Sequence, residues 1–188
     1  MMTHDTLTRL TVGTPAPIFQ TQDIFGQPID LAAYAGRTVL LSFFRNGACA
    51  ICNLQVNKLI QQYPVYHAKG LEILAVFEVD KESIQQYVGK QDAPFPIIAD
   101  PTAHLYDLYQ VETSHEKVEA SMATPLTQGV VEEAAEKGFP LIREENTNFY
   151  RMPADFLIGP DGTLQRVFYS EIVGQHLPFT EIEQVLTA

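Results

Sequence analysis

The stretch that decides the fold is TVLLSFFRNGACAICNLQ, residues 38–55. It begins with a continuous apolar run, which is typical of a β-strand covered on both faces. Both cysteines of the chain follow, Cys49 and Cys52, and the residues after them have helical spacing, with Asn53 on the polar side of the predicted helix. Because positions i and i+3 in the first turn of a helix lie on one face, the two sulfur atoms can form a disulfide without backbone movement. The same pair could also be two small apolar core residues or half of a metal site.

Alternating strands and helices continue after this stretch. LEILAVFEV, residues 71–79, is a second apolar strand, and FPIIAD, residues 95–100, is a short third strand. Asp80 is a natural N-cap for the helix between them, and Pro101 is expected to open the first turn of the next helix. A C-x-x-C pair beside a βαβ pattern in a reducing compartment is typical of a redox site.

Two hairpins and one long insertion complete the pattern. The residues around Gly26 predict an N-terminal β-hairpin, and ADFLIGPDGTLQRVFY, residues 154–169, predicts a second hairpin around the turn GPDG. PFTEIEQVL then forms an amphipathic helix. The stretch from Thr113 to Tyr150 is longer than ordinary connections, and its core GVVEEAAEKG predicts a helix with Gly138 as its C-cap. We expect one α/β domain over residues 1–188, with a mixed sheet flanked by helices.

The composition narrows the function classes. The chain has 188 residues, is 46% hydrophobic and carries a formal net charge of −11. This acidic balance, without a basic stripe, argues against nucleic acid or an anionic membrane surface as a partner. The beginning, MMTHDTLTRL, lacks the basic and apolar regions of a secretory signal, and no run approaches membrane-spanning length. We therefore expect a cytoplasmic protein.

A thiol at the start of a helix has a defined chemistry. Unpaired N–H groups and the positive end of the helix dipole favour the thiolate and lower the pKa of the thiol. Arg45, four residues before Cys49, adds a candidate cation. A thiolate can attack a disulfide or a peroxide, and a second thiol can then resolve the intermediate. His115 and His176 are weaker candidates as bases, since isolated histidines are usually solvated.

Two segments carry a family resemblance. Residues 12–52, which end in GACAIC, and MPADFLIGPDGTL, residues 152–164, resemble the peroxiredoxin-like branch of the alkyl hydroperoxide reductase and thiol-specific antioxidant (AhpC/TSA) family. The resemblance covers most of the chain except the insertion, and it implies a thioredoxin-like fold. It also implies that Pro153 is a cis proline facing the cysteines. The backbone of Met152 would then be free to pair with an extended substrate.

The chain departs from the peroxiredoxin motif P-x-x-x-T-x-x-C. If Cys52 takes the final position, Cys49 stands at the threonine and Arg45 at the proline. We predict that Cys49 is the attacking thiol, because it should lie at the exposed start of the helix while Cys52 faces the core. The residues that would prepare a peroxide pocket around Cys52 are also absent. Thioredoxin itself usually has a buried acid in the preceding strand, and TVLLSFF has none.

These observations predict a thiol-dependent oxidoreductase that cycles Cys49 and Cys52 between dithiol and disulfide, with Arg45 and Pro153 as further site residues. No cofactor or metal is expected. The expected partners are a protein disulfide or hydroperoxide and a thioredoxin- or glutathione-type thiol reductant, with a homodimer as one candidate assembly. A peroxide-reducing antioxidant enzyme and a non-catalytic binding protein are the alternatives. We expect the insertion, residues 113–150, to cover part of the thiol site or to form a subunit contact.

Overall fold

A computed structural model describes residues 9–187 of the chain. The expectation of a leader without a secretory signal falls partly on residues 1–8, which lie outside the described residues. Two short 3-10 helices occupy Leu31–Tyr34 and Val88–Gln91. The strands are β1 Gln20–Gln22, β2 Pro28–Asp30, β3 Thr38–Phe44, β4 Leu71–Phe77, β5 Ile97–Ala99, β6 Ala154–Ile158 and β7 Leu164–Tyr169. The α-helices are α1 Ala50–Ala68, α2 Lys81–Gln86, α3 His104–Leu108, α4 His115–Met122, α5 Pro125–Glu136 and α6 Phe179–Leu186.

Five strands form a mixed sheet in the order β5-β4-β3-β6-β7. The strand β3 lies at its centre, parallel to β4 and antiparallel to β6, and all of its residues are buried. This confirms the prediction of a strand covered on both faces. The hairpin β1–β2 is a separate antiparallel pair around Gly26, as predicted.

The two faces of the sheet support two apolar clusters. Leu40 and Phe44 of β3 belong to the cluster that contains both cysteines. Leu41 and Phe43 point to the opposite face and belong to the cluster that contains residues of α3. Because side chains alternate along a strand, β3 supplies both clusters at once. The cysteine helix therefore packs on one defined face, and the thiol pair lies where β3 ends.

The insertion contains two helices. The second, α5, begins earlier than the sequence pattern predicts, because the side chain of Thr124 accepts the N–H of Thr127 and Pro125 occupies the first turn. At its other end Lys137 is the C-cap, and Gly138 follows it with a φ of +83°. The expectation that Gly138 is the C-cap was therefore wrong by one position, although its left-handed conformation does end the helix.

Pro101 does not open helix α3. The carboxylate of Asp100 accepts the N–H groups of His104 at 3.1 Å and Leu105 at 2.8 Å, so the helix begins three residues later than predicted. Asp80, in contrast, is the N-cap of α2 as predicted, and it accepts the N–H of Ser83 at 2.8 Å.

Within the described part of the chain, no helix combines the length and the apolar character needed to cross a bilayer.

The turn between β3 and α1 passes close to α2 at Gly47. A Cβ atom there would lie 2.8 Å from both the carbonyl oxygen and the hydroxyl of Ser83. We predict that Gly47→Ala lowers the free energy of unfolding by about 1–3 kcal/mol, because backbone has to move to make room. Urea denaturation measures this change.

Gly129→Ala is the matched control for this prediction. Gly129 lies inside α5, where an added Cβ would meet nothing within 4 Å. Alanine is the better helix former there, so the control should raise the free energy of unfolding by about 0.5–1 kcal/mol. Equal stability of Gly47→Ala and the parent chain would contradict the close approach of Gly47 to Ser83.

Candidate active site at the start of the cysteine helix

Cys49 and Cys52 form a disulfide at the start of α1, as their spacing predicted, with their Cα atoms 5.2 Å apart. Cys49 is the N-cap of the helix, and its sulfur accepts the backbone N–H of Cys52 at 3.2 Å. The sulfur thus takes the place that an oxygen of serine or aspartate usually fills at a helix N-terminus. Negative charge on this atom would be stabilised by the unpaired N–H groups and by the helix dipole.

Both cysteines are buried, each with 6% of its surface exposed. The sequence placed Cys49 at an exposed helix start, and this expectation was wrong because the insertion covers it. Cys49 nevertheless lines a cavity of about 60 Å³ between α1 and the insertion, and Cys52 is not among the residues that line this cavity. The two sulfur atoms therefore differ in access, with Cys49 on the side of the cavity.

Arg45 lies directly after β3 and is 8% exposed. Its Nη2 atom lies 3.5 Å from the sulfur of Cys49, and its Nη1 atom donates to the carbonyl oxygen of Phe149 at 3.0 Å. The guanidinium also lies 5.1 Å from the centroid of the Phe149 ring. Among the described residues, no carboxylate lies within 4 Å of this guanidinium.

The charge of Arg45 persists at neutral pH. Burial lowers the pKa of Arg45 to about 10, which is still well above neutrality. A cation that persists at neutral pH therefore lies beside the sulfur of Cys49 in a largely buried site. Since an opposite charge at this distance favours the ionised form of a thiol, the arrangement favours a Cys49 thiolate once the disulfide is reduced.

A network of amide side chains holds the loop before the helix. Asn53 donates to the carbonyl oxygens of Gly47 at 2.8 Å and of Cys49 at 3.0 Å. Gln91 in turn donates to the backbone and side-chain oxygens of Asn53, at 3.0 and 3.1 Å. The helical pattern assigned Asn53 to the polar side of α1, yet it is 6% exposed. Sequence reasoning missed this residue because its partners come from outside the helical repeat.

The C-terminal part of the insertion lies over the thiol loop. The carboxylate of Glu144 accepts the N–H of Ala48 at 3.4 Å, and Asn46 donates to the hydroxyl of Thr147 at 3.2 Å. Together with the contact between Arg45 and Phe149, these bonds fix residues 144–149 against the start of α1. The expectation that the insertion covers part of the thiol site is therefore confirmed.

Pro153 immediately precedes β6 and is buried. The structure contradicts the expected cis bond, because no peptide bond among residues 9–187 is cis. The trans form is the intrinsically favoured one, and the carbonyl of Pro153 accepts the N–H of Ser170 at 3.1 Å in this conformation. Met152 belongs to the same apolar cluster as both cysteines. Its N–H, however, already donates to the carbonyl of Glu112 at 3.0 Å. The expectation that the backbone of Met152 is free to pair with a substrate was therefore wrong.

Arg151 lies near Pro153 in sequence but serves a different contact. It forms a buried ion pair with Glu78, with N–O distances of 2.6 and 2.9 Å. Its guanidinium also lies 4.7 Å from the centroid of the Tyr106 ring. Burial raises the pKa of Tyr106 well above its ordinary value, so its hydroxyl donates to the carbonyl of Phe44 at 2.6 Å. These contacts fix the end of β3, directly before Arg45.

The two histidines lie in different surroundings. His176 is buried, and its Nδ1 atom lies 3.0 Å from a carboxylate oxygen of Asp155, so the expectation of a solvated side chain was wrong for it. Asp155 is a buried acid on β6, opposite Ser42 of β3. His115 stacks on the ring of Tyr150. In the described part of the chain, neither histidine hydrogen-bonds a cysteine sulfur, and no three His, Cys, Asp or Glu residues meet as a metal site.

Comparisons with known proteins agree with this geometry. The model of the AhpC/TSA family matches residues 12–167. A thiol-disulfide oxidoreductase ResA from Geobacillus kaustophilus is 31% identical over 105 residues, which are 55% of this chain and 60% of the relative. The ResA of Halalkalibacterium halodurans is 26% identical over 138 residues, which are 71% of this chain and 78% of the relative. The chain thus spans about 60% of the length of the first of these relatives.

Solved structures confirm the thioredoxin-like fold. A putative thiol:disulfide interchange protein DsbE from Chlorobium tepidum has a TM-score of 0.62 at 21% identity, over 95% of this chain and 97% of that chain. A mutant of the peroxiredoxin 6 of Arenicola marina has a TM-score of 0.68 at 18% identity, over 95% and 72% of the two chains. At these identities the likeness concerns the fold alone.

The contact between Arg45 and the sulfur of Cys49 can be tested in the reduced protein. We predict that Arg45→Met moves the pH midpoint of Cys49 alkylation upward by about 1–3 units, because the neighbouring cation is lost. Iodoacetamide, a neutral reagent, measures the rate as a function of pH in the Cys52→Ser background.

Two variants serve as controls for this measurement. Arg45→Lys keeps a positive charge and should restore part of the shift. Arg37→Gln removes an arginine that is paired with Glu72, 2.9 Å away, and should leave the midpoint where it is. An unchanged midpoint in Arg45→Met would contradict a role for Arg45 in stabilising the thiolate.

Proposed function

We propose that this chain, which belongs to the AhpC/TSA family, is a thiol-disulfide oxidoreductase that cycles Cys49 and Cys52 between dithiol and disulfide. One observation carries the proposal. The sulfur of Cys49 caps helix α1 and lies 3.5 Å from the buried cation of Arg45. The same sulfur forms the disulfide with Cys52, which lies one turn along the helix. The ResA proteins, which are similar in sequence, are named for the same chemistry.

The exchange takes two steps. In the reduced protein the Cys49 thiolate attacks one sulfur of a substrate disulfide, which forms a mixed disulfide and releases the other substrate sulfur as a thiolate. Cys52 then loses its proton to solvent and attacks the sulfur of Cys49, which releases the second substrate thiolate. The substrate gains two electrons, and the chain is left with its Cys49–Cys52 disulfide. A thiol reductant returns the chain to the dithiol form by the same steps in reverse.

The site geometry favours Cys49 as the first nucleophile. Both sulfur atoms lie in the same apolar cluster, but Cys49 lines the cavity and contacts Arg45, whereas Cys52 does not line this cavity. The thiolate is the reactive form of a cysteine. Among the contacts of the described residues, the guanidinium of Arg45 contacts the sulfur of Cys49 and not that of Cys52. Cys52 is then placed to resolve the mixed disulfide.

Reduction of hydroperoxides is the second candidate function. Cys49 is 6% exposed, and its cavity of about 60 Å³ admits a small peroxide more readily than a folded protein. In this reaction the Cys49 thiolate attacks the peroxide O–O bond, which yields a sulfenic acid and releases an alcohol or water after protonation. The thiol of Cys52 then condenses with the sulfenic acid, which forms the disulfide and releases one water molecule.

Single Cys→Ser variants separate these candidates. We predict that Cys52→Ser traps a stable mixed disulfide with a disulfide substrate through Cys49, and that Cys49→Ser loses this ability. Mass spectrometry of the oxidised parent chain should also show the loss of two hydrogens. Each variant is assayed for mixed disulfide and, after addition of peroxide, for sulfenic acid.

Two outcomes would contradict the proposed oxidoreductase. Rapid formation of sulfenic acid without trapping of a disulfide by either variant would favour the peroxidase. If both thiols of the reduced protein stay free and resist alkylation in the folded state, the chain is a non-catalytic thioredoxin-fold binding protein instead.

The cellular setting is also a proposal. With two cysteines, both in the reactive pair, the chain suits a reducing compartment, and we propose the cytoplasm. A protein disulfide is the proposed substrate, and a thioredoxin- or glutathione-type thiol is the proposed reductant. The homodimer stays a prediction, which the molar mass in solution would test.

A further inference from the structure

The backbone edge beside the thiol site is already occupied by the chain itself. The N–H of Met152 donates to the carbonyl of Glu112 at 3.0 Å, and the N–H of Ser114 donates to the carbonyl of Tyr150 at 2.9 Å. Thr113 lies opposite Arg151 in an antiparallel bridge between these two bonds. Residues 112–114, where the insertion begins, therefore sit where an added strand would pair, and a substrate would have to displace them to bind by strand addition.

Apolar side chains of the insertion surround the cavity at Cys49 instead. Met122, Leu141 and Ile142 line this cavity and are 43%, 69% and 40% exposed. They are three of the eight large hydrophobic side chains exposed in the described part of the chain. Exposed apolar side chains gathered at one place mark a contact surface more often than single ones do.

The cavity also carries positive charge in an acidic protein. Arg45 and Arg143 line it, and none of the described Asp or Glu residues does, whereas the whole chain has a net charge of −11. The guanidinium of Arg143 lies 5.1 Å from the centroid of the Phe149 ring, on a ring that Arg45 also contacts. Within residues 9–187, no carboxylate lies within 4 Å of Arg143. This surface is therefore complementary to an acidic group.

Thiol-disulfide exchange forces the partner onto this surface, because a bond must form between the substrate sulfur and Cys49. From this constraint, we propose that side chains of the insertion select the substrate. The proposed substrate is an apolar peptide segment with an acidic residue next to its half-cystine. The apolar residue packs on Leu141 and Ile142, the acid faces Arg143, and no strand is added at Met152. This inference rests on the proposed oxidoreductase function and assigns its substrate class.

Synthetic peptides with one intrachain disulfide test the substrate class. The reference peptide has Leu and Glu beside one cysteine, a second has Ser in place of Leu, and a third has Lys in place of Glu. A fourth carries N-methyl groups on the residues that flank this cysteine, which prevents strand addition. The reduced protein is mixed with each peptide, and acid-quenched samples give the second-order rate of reduction.

The reference peptide should react about tenfold faster than the Ser peptide, which corresponds to the loss of one buried apolar side chain. It should react about two- to fivefold faster than the Lys peptide, as expected for a solvent-exposed ion pair. N-methylation should leave the rate unchanged. The double variant with Leu141→Ser and Ile142→Ser should no longer prefer the peptide with Leu over the peptide with Ser. The variant Arg143→Gln should no longer prefer the peptide with Glu over the peptide with Lys.

Leu126→Ser is the matched control variant, since Leu126 is 41% exposed on the same insertion but does not line the cavity. It should keep both preferences. Equal rates with the reference, Ser and Lys peptides, or a slower reaction of the N-methylated peptide, would overturn the inference.

A neutral small disulfide separates failure of this inference from failure of the proposed function. For each variant, the rate with 2-hydroxyethyl disulfide, which offers neither an apolar segment nor an acid, is the reference against which its peptide rates are compared. If the double variant loses its rate with 2-hydroxyethyl disulfide in the same proportion as its rate with the reference peptide, its side chains shape the thiol site rather than recognise substrate. The inference is then wrong. If the parent chain reduces neither this compound nor any peptide, the proposed oxidoreductase itself is wrong.

Discussion

The site depends on one constraint, a buried cation that has no carboxylate partner among the residues that the structure describes. The guanidinium of Arg45 belongs to a side chain in a residue that is only 8% exposed, so its charge has to be stabilised largely by neighbouring groups. Three such groups surround it: the sulfur of Cys49, the carbonyl oxygen of Phe149 and the face of the Phe149 ring. They belong to the start of α1 and to the end of the insertion. One side chain at the end of β3 thus couples the thiol pair to its cover.

This coupling explains how the insertion changes an otherwise ordinary fold. In the sheet and its helices, the chain resembles thiol-disulfide exchange proteins and peroxiredoxins alike. Residues 112–114, where the insertion begins, pair with the backbone of residues 150–152, where it ends. The last residues of the insertion then bind the thiol loop at Ala48 and Arg45. Most of the side chains that line the cavity at Cys49 therefore come from the insertion, and none of them comes from a strand of the sheet.

Local signals in the sequence predicted most of the fold. The apolar run of β3, the cap at Asp80 and the turn around Gly26 each act within a few residues, so their outcomes could be read directly. The site was predicted less completely, because its decisive contacts join distant positions. The bond from Arg45 to Phe149 spans 104 residues, and no periodic pattern records it. The burial of Cys49 and the pairing of Met152 were missed for the same reason.

The amide of Asn53 has a consequence for the kinetics of ring closure. Its two bonds to the carbonyls of Gly47 and Cys49 hold the loop from within the helix, and neither bond involves sulfur. The loop therefore has little freedom to gain when the disulfide opens. Since Cys52 stays near the sulfur of Cys49, its effective concentration there remains high, and the intramolecular reaction outcompetes thiols from solution. A mixed disulfide with this chain should accordingly be short-lived.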